Sequence, residues 1–444
     1  MMSNLLPNEK WTIGALSYLC DADGSIQTGP FGTQLHASDY VPSGVPCIMP
    51  QDIIDGRIST EKIAYISEEN ANRLSNFRLL QNDIIYPRRG DIAKHALITS
   101  KENGWLCGTG CLRIRLNTSS ILPQYLYYYL TLPHVREWIA QNSVGATMPH
   151  LNISLVGQIS VSYPTYNEQQ VITNILGSLD DKIDLNRRMN ETLEAMARAL
   201  FRDWFVDFGP TQAKMAGEAP YLAPELWGLF PDRLDDEGKP EGWEVCNFDE
   251  LVSINPKEKL SRNTIAPYLS MSELPTQGCL AEAPTPRPFS GGSKFKNGDT
   301  LFARITPCLE NGKTALAQKL DNNIVGWGST EFHVLRGKGH VPFSWVYLMA
   351  RDNEFRTNAI RGMTGTSGRQ RVASEVLATY KTVTPSSNQI WKAFDRACNP
   401  LFEKIIINGV ESRTLAQLRD LLLPKLMSGE ISIRDAEKMV EDAA

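Results

Sequence analysis

Histidine is scarce in these 444 residues, with six in all: His36, His95, His134, His150, His333 and His340. None falls in an HxxxH or HExxH spacing, so a helical zinc site has no support. The eight cysteines are scattered. Only Cys107 and Cys111 lie close together, and neither belongs to a CxxC pair, so reduced thiols in a cytoplasmic protein are expected. No GxxxxGK[ST] loop is present to cradle a nucleotide phosphate. No apolar run reaches the 18 residues that would cross a bilayer; Ile121 to Leu132 comes nearest and is interrupted by Pro123 and Gln124. The start, MMSNLLPNEK, has neither the basic head nor the apolar stretch of a secretory signal. Charge of one sign is missing too: 45 Lys and Arg stand against 50 Asp and Glu, a net charge of −5. That excludes a globally basic nucleic-acid binder but not a locally basic one. With 42% hydrophobic and 21% charged residues the composition is that of a folded protein of several domains.

The chain is written twice, with an offset of about 220 residues. Asn82-Asp83-Ile84-Ile85-Tyr86-Pro87-Arg88 matches Gly298-Asp299-Thr300-Leu301-Phe302-Ala303-Arg304. Gly108-Thr109-Gly110 falls opposite Gly328-Ser329-Thr330, and Gly145-Ala146-Thr147 opposite Gly365-Thr366-Ser367. The longest match places Leu179, Lys182, Ile183, Asn186, Thr192, Leu193 and Leu200 opposite Leu401, Lys404, Ile405, Asn408, Thr414, Leu415 and Leu422.

Each repeat has two parts. Residues 1–165 and 241–385 are rich in Gly, Pro and β-branched residues. Strand-like runs at Asp83–Tyr86, Leu112–Leu116, Thr300–Ala303 and Phe332–Leu335 and helical patches at Gln124–Leu130 and Pro133–Gln141 predict mixed α/β globular units of the α+β class. Residues 166–206 and 386–428 carry apolar positions in alternating steps of four and three, the seam of a coiled coil. Each helix of about 40 residues would extend roughly 60 Å. Neither can bury its seam alone, and a chain that crosses a globular domain between the two favours antiparallel pairing about a pseudo-twofold axis. Asn186 and Asn408 take equivalent seam positions, where a polar residue fixes register at a cost in stability. Arg419 interrupts the second seam. Residues 207–240 read as a Pro/Gly-rich joint and 429–444 as a C-terminal tail. Net charge is −1 over 1–165, −6 over 166–240, +3 over 241–385 and −1 over 386–444.

Two catalytic motifs are mimicked without their setting. Asn399-Pro400-Leu401-Phe402 resembles a base-flipping methyltransferase loop, but it lacks the second proline and lies in the helical seam. Pro231-Asp232 with Glu237-Gly238-Lys239 has the letters of a metal nuclease within a Pro/Gly joint, away from adjacent strands that would hold Mg2+. A duplicated binder is therefore favoured over an enzyme. Two heads on a rigid pair suit duplex DNA, whose backbone is itself pseudo-dyadic. Arg88 and Arg89 follow a strand, and Arg304 occupies the matching place in the second repeat; arginine forks suit guanine edges and phosphates. Gln27 and Thr28 open a Gly/Pro loop, Lys294 and Lys296 lie in a basic loop, and Arg369 and Arg371 end another. Lys94 and Lys313 complete the DNA-binding candidates.

The sequence resembles the specificity subunits of type I restriction–modification systems over essentially its whole length. Gly29-Pro30-Phe31-Gly32, Asn167 to Asp181, Leu193 to Phe201, Trp204 to Pro210, Gly242-Trp243-Glu244-Val245, Arg304 to Lys313 and Leu421 to Ile431 carry the likeness. The resemblance implies two target-recognition domains, 1–165 and 241–385, each reading one half of an asymmetric bipartite duplex target. It implies that the helices set the spacing and dock two modification subunits. Those partners would bind S-adenosylmethionine and methylate adenine, and restriction subunits would use ATP and Mg2+ to translocate and cleave. This chain would hold no cofactor, metal or catalytic residue and meet no membrane. Its negative first domain implies that partners supply much of the phosphate contact. A protein scaffold that never touches DNA, or a nuclease or methyltransferase acting through Asp232 or Asn399, remains the alternative.

Overall fold

The structure, a computed structural model, describes residues 11–20, 25–143, 150–318, 320, 324–366 and 368–442. The Gly145-Ala146-Thr147 repeat match and Ser367 lie outside the described residues. The chain divides into two compact units, Met1–Lys182 with Thr414–Ala444, and Ile183–Arg413. The division falls inside two long helices, Tyr166–Phe205 and Asn388–Ser428, rather than at their ends. The reason is packing: each half-helix is bonded to the globular part beside it. In the first unit the Tyr128 hydroxyl donates to Asp180 Oδ2 at 2.7 Å. In the second the Tyr347 hydroxyl donates to Glu194 Oε1 at 2.9 Å.

The first unit opens with strand Thr12–Ala15, which pairs antiparallel with Ser160–Tyr163 just before the long helix. Between them lies an antiparallel sheet in the order Ile26–Thr28, Cys111–Ile114, Ile84–Pro87, Ala96–Leu97. Its two middle strands are buried at every residue and rich in β-branched and aliphatic side chains. A second sheet runs Leu106–Cys107, Val45–Ile48, Ala64–Ile66, Tyr40–Val41. Helices Pro123–Thr131 and Pro133–Asn142 each begin on proline, whose fixed φ suits a first turn. Helix Ile153–Gly157 is capped by Asn152, whose side chain accepts from Leu155 N at 2.8 Å.

The second unit repeats this order. Glu244–Asn247 pairs with Lys381–Thr384. The antiparallel sheet runs Val252–Ile254, Phe332–Gly337, Thr300–Ala303, Thr314–Leu316. The other sheet runs Thr285–Pro288, Ile265–Leu269, Gly326–Gly328, Ser293–Phe295. Helices Phe343–Arg351, Asn353–Arg361 and Ser374–Ala378 follow as in the first unit. The repeated Asp83 and Asp299 prove to be structural. Each is 1% exposed and gripped by both Nε and Nη2 of one arginine: Arg115 at 2.7 and 2.6 Å, and Arg336 at 2.6 and 2.7 Å. In each case the carboxylate also accepts a backbone N–H three residues back, from Leu80 or Lys296, at 2.7 Å.

The long helices start on Ser/Thr after proline, a capping signal. Thr165 N donates to Glu168 Oε2 at 3.1 Å, and Gln389 N donates to Ser387 Oγ at 3.2 Å. Within each unit the two helix halves run antiparallel. Arg419, where the apolar seam breaks, binds Asp180 at 2.7 Å. In the second unit Asn186 and Asn408, 1% and 0% exposed, lie in the seam as expected and bond across it. The segment 207–240, read as a Pro/Gly-rich joint, is folded onto the second unit. It contains helices Gly209–Met215 and Pro224–Trp227, and Phe230 is buried against Trp204 at 5.1 Å between rings. It belongs to the core of the second unit, because the aromatic ends of the long helix need a cover. The tail 429–444 likewise contains a helix, Ile433–Glu441, capped by Ser432.

Candidate nucleic-acid interface

Arg88 and Arg304 occupy one position built twice. Each leaves a fully buried strand, Ile84–Pro87 or Thr300–Ala303. Arg88 N donates to Gly110 O at 2.6 Å, and Arg304 N donates to Glu331 O at 3.0 Å. Leu151 N donates to Arg88 O, and Val372 N donates to Arg304 O, both at 2.9 Å. The next residues continue the match, since Arg89 bridges to His150 and Ile305 bridges to Arg371. The backbone thus holds both arginines rigidly at a strand end, and the side chains around them differ.

In the first unit the Arg88 guanidinium stands 5.5 Å from the Phe31 ring centroid, a cation–π contact. Phe31 is 55% exposed on the loop after strand Ile26–Thr28. That loop leaves the sheet at a crowded point: a Cβ on Gly29 would lie 2.0 Å from Gly108 O. Arg89 is exposed, and so is Lys94, which pairs with Asp91 at 3.4 Å. Gln27 and Thr28 depart from their expected place on a loop. Both sit in the strand, Thr28 is 9% exposed, and Gln27 Oε1 accepts from Arg113 Nη2 at 2.7 Å. The Gly-Pro signal begins one residue too late to free them.

In the second unit Arg371 grips Glu331 with Nε at 2.9 Å and Nη2 at 2.7 Å. These hydrogen bonds hold the Glu331 carboxyl below its ordinary range. Arg304 Nε is buried without a partner in the described structure. Arg371 and Val372 form a small hairpin with Met363–Thr364, and Arg369 is exposed in the loop between them. The lysines are drawn elsewhere. Lys296 binds Glu258 at 2.7 Å, Lys294 Nζ donates to Glu258 O at 3.0 Å, and Lys313 Nζ donates to Met271 O at 2.8 Å. Arg304 and Arg371 therefore converge, while the lysines are held by the protein itself. Phe31, His150 and Glu331 were missed as candidates. The sequence repeat set Gly110 opposite Thr330 and gave no signal for the last; the equivalence of Gly110 and Glu331 comes from the backbone bonds of Arg88 and Arg304.

The catalytic look-alikes do not assemble. Asn399 Nδ2 donates to Glu403 Oε1 at 2.9 Å on the long helix, and Asp232 pairs with Lys214 at 2.9 Å. Among the described residues no group of three His, Cys, Asp or Glu could hold a metal ion. No described helix is long and apolar enough to cross a membrane. The described cysteines are unbridged, and burial pushes the Cys47 and Cys107 thiols up to about 12.

Residues 38–195 match the Type I restriction modification DNA specificity domain. The chain is 23% identical over 406 residues to the type I restriction enzyme HindI specificity subunit of Haemophilus influenzae, covering 79% of this chain and 87% of that one. It is 25% identical over 425 residues to the MjaIX specificity subunit of Methanocaldococcus jannaschii, covering 89% of each. Its fold is similar to the crystal structure of a type I restriction–modification S subunit from M. genitalium, with a TM-score of 0.56 at 15% identity over 96% of this chain and 98% of that one.

Proposed function

We propose that this chain, which is similar to the specificity subunits of type I restriction–modification systems, is one of them and the DNA-reading member of such a complex. Each unit reads one half of an asymmetric bipartite duplex target, and the long helices fix the interval between the halves. The observation that carries this reading is the duplicated arginine position. Arg88 and Arg304 share one backbone setting, but Gly110, His150 and Leu151 at the first are Glu331, Arg371 and Val372 at the second. A common frame with different surroundings is what two heads reading different sequences require. The exposed Arg89 and Arg369 add phosphate contacts.

The chain acts by positioning and does no chemistry. It docks two modification subunits, which bring S-adenosylmethionine and methylate adenine, and restriction subunits, which bring ATP and Mg2+. The assembly works in the cytoplasm. The net charge of −1 over residues 1–165 fits a division of labour in which partners supply much of the phosphate contact.

The test is selection from a random duplex library by the chain co-expressed with its modification subunit. An enriched motif with two dissimilar halves and a fixed unread gap is the expected result. A folded, assembled complex that enriches nothing overturns the reading and favours a scaffold.

A further inference from the structure

The two units share their structural ion pairs but not the one at the reading position. Asp83–Arg115 and Asp299–Arg336 are the same pair made twice, with both carboxylates 1% exposed. Glu331–Arg371 has no such twin, because Gly110 and His150 stand at the equivalent positions, identified by the matching backbone bonds of Arg88 and Arg304. Nor is it buried as a structural pair would be: the Arg371 side chain is 41% exposed and that of Glu331 is 23% exposed. An exposed pair contributes little to stability. What the geometry does provide is a fixed order of groups. Glu331 takes Nε and Nη2 of Arg371, while Nη1 is held only by a long 3.3 Å bond to Arg369 O. A donor edge and an acceptor edge therefore stand side by side, partly exposed, next to Arg304, whose Nε lacks a partner in the described structure.

We propose that Glu331 and Arg371 form a fork that reads one G·C base pair through the major groove in the half-site of the second unit. The chemistry is complementary. In that groove guanine presents two acceptors, N7 and O6, and the paired cytosine presents the N4 amino donor beside them. Arg371 supplies donors to the guanine and Glu331 accepts from the cytosine. An A·T pair puts an adenine donor where Arg371 needs an acceptor, and a thymine oxygen where Glu331 needs a donor. The carboxylate also prevents Arg371 from serving as a general phosphate contact, because its charge is already balanced and its plane is fixed. In the first unit Gly110 offers no acceptor side chain, so its half-site lacks this requirement.

The inference rests on the DNA-reading function proposed above, and one experiment separates the two. Library selection is run on the assembled complex carrying the original chain, Glu331→Ala, or Arg371→Lys. The last keeps the charge and removes the fork. The original complex is expected to require G·C at one position of one half-site. Each variant should relax that position by on the order of tenfold or more, leaving the other half-site and the gap unchanged. A motif that survives both substitutions unaltered, in complexes that assemble normally, overturns the fork. So does a uniform loss of affinity with unchanged base preference, which would make Arg371 a phosphate contact. Failure of the original complex to enrich any motif instead overturns the DNA-reading function.

Discussion

Asn186 and Asn408 stand 222 residues apart and make the same contact in both directions. Asn186 Nδ2 reaches Ser412 Oγ at 3.3 Å, and Asn408 Nδ2 reaches Asn190 Oδ1 at 2.9 Å. Each pair joins a residue of one repeat to a residue of the other, and exchanging every residue for its counterpart 222 positions away turns the first pair into the second. Both amides are buried, and the Oδ1 of each lacks a partner in the described structure. Buried polar atoms left unpaired cost roughly 1–3 kcal/mol each. Replacing both with Leu should raise the melting temperature by several degrees while loosening helix register. A cysteine pair at Asp180 and Arg419 reports the register. Undiminished crosslinking in the double-Leu chain contradicts the register role.

The repeated carboxylates should be the least tolerant surface-adjacent charges. Asp83→Asn leaves Arg115 without its counter-ion and should cost roughly 3–5 kcal/mol, whereas Asp299→Asn should cost less because Arg336 Nη1 also binds Glu258 Oε1 at 2.6 Å. Replacing both members of a pair with Leu and Met should cost less than either single change. Chemical denaturation of the four variants checks the order.

His95 makes the first unit sensitive to acid. Its ring stacks on Tyr86 with centroids 4.8 Å apart, and Nε2 meets Tyr127 O at 3.0 Å. Burial pushes its pKa down to about 4, against a partial rise from that hydrogen bond and with a further push from Arg136. A depressed histidine favours the neutral form in the folded state. The stabilisation is therefore complete above the unfolded value near 6.5 and is lost as pH falls from there toward 4, by on the order of 3 kcal/mol. His95→Gln should flatten this part of the pH profile. Denaturant midpoints at pH 7.5 and 5 provide the comparison, and an equal drop in both proteins would locate the sensitivity elsewhere.

Arg89 and Arg369 should act as phosphate contacts. Each Ala substitution is expected to weaken binding of the assembled complex to all sequences alike and to lower the salt slope by about 1. Anisotropy titrations at several KCl concentrations measure both. A changed base preference would move either residue to the reading group.

The duplication was legible because Asp83 to Arg88 and Asp299 to Arg304 keep their order, and each half duly forms the same buried strand. The helices were legible because a 4-3 pattern over 40 residues has no other economical explanation. Contacts set by distant chain segments were not. Asp83 finds Arg115 and Asp299 finds Arg336 across neighbouring strands, a pairing that no local pattern announces. Thr28 looked like a loop residue because Gly29 and Pro30 follow it, yet strand pairing with Leu112 holds it in the sheet. Lys296 and Lys294 looked like free basic groups until Glu258, some 40 residues earlier in the chain, claimed both. Nothing local to the Pro/Gly-rich joint announced that Phe230 would pack on Trp204, a partner 26 residues earlier that is itself 1% exposed.

Each globular part is closed by its own first and last strands, Thr12–Ala15 with Ser160–Tyr163 and Glu244–Asn247 with Lys381–Thr384. Entry and exit therefore lie one strand spacing apart, about 5 Å. The globular part is an insert whose two ends meet at a single seat on the helical frame. An insert of this form can be grafted, lengthened or exchanged without altering the path of the helices. A change within one insert can therefore leave the course of the long helices as it is.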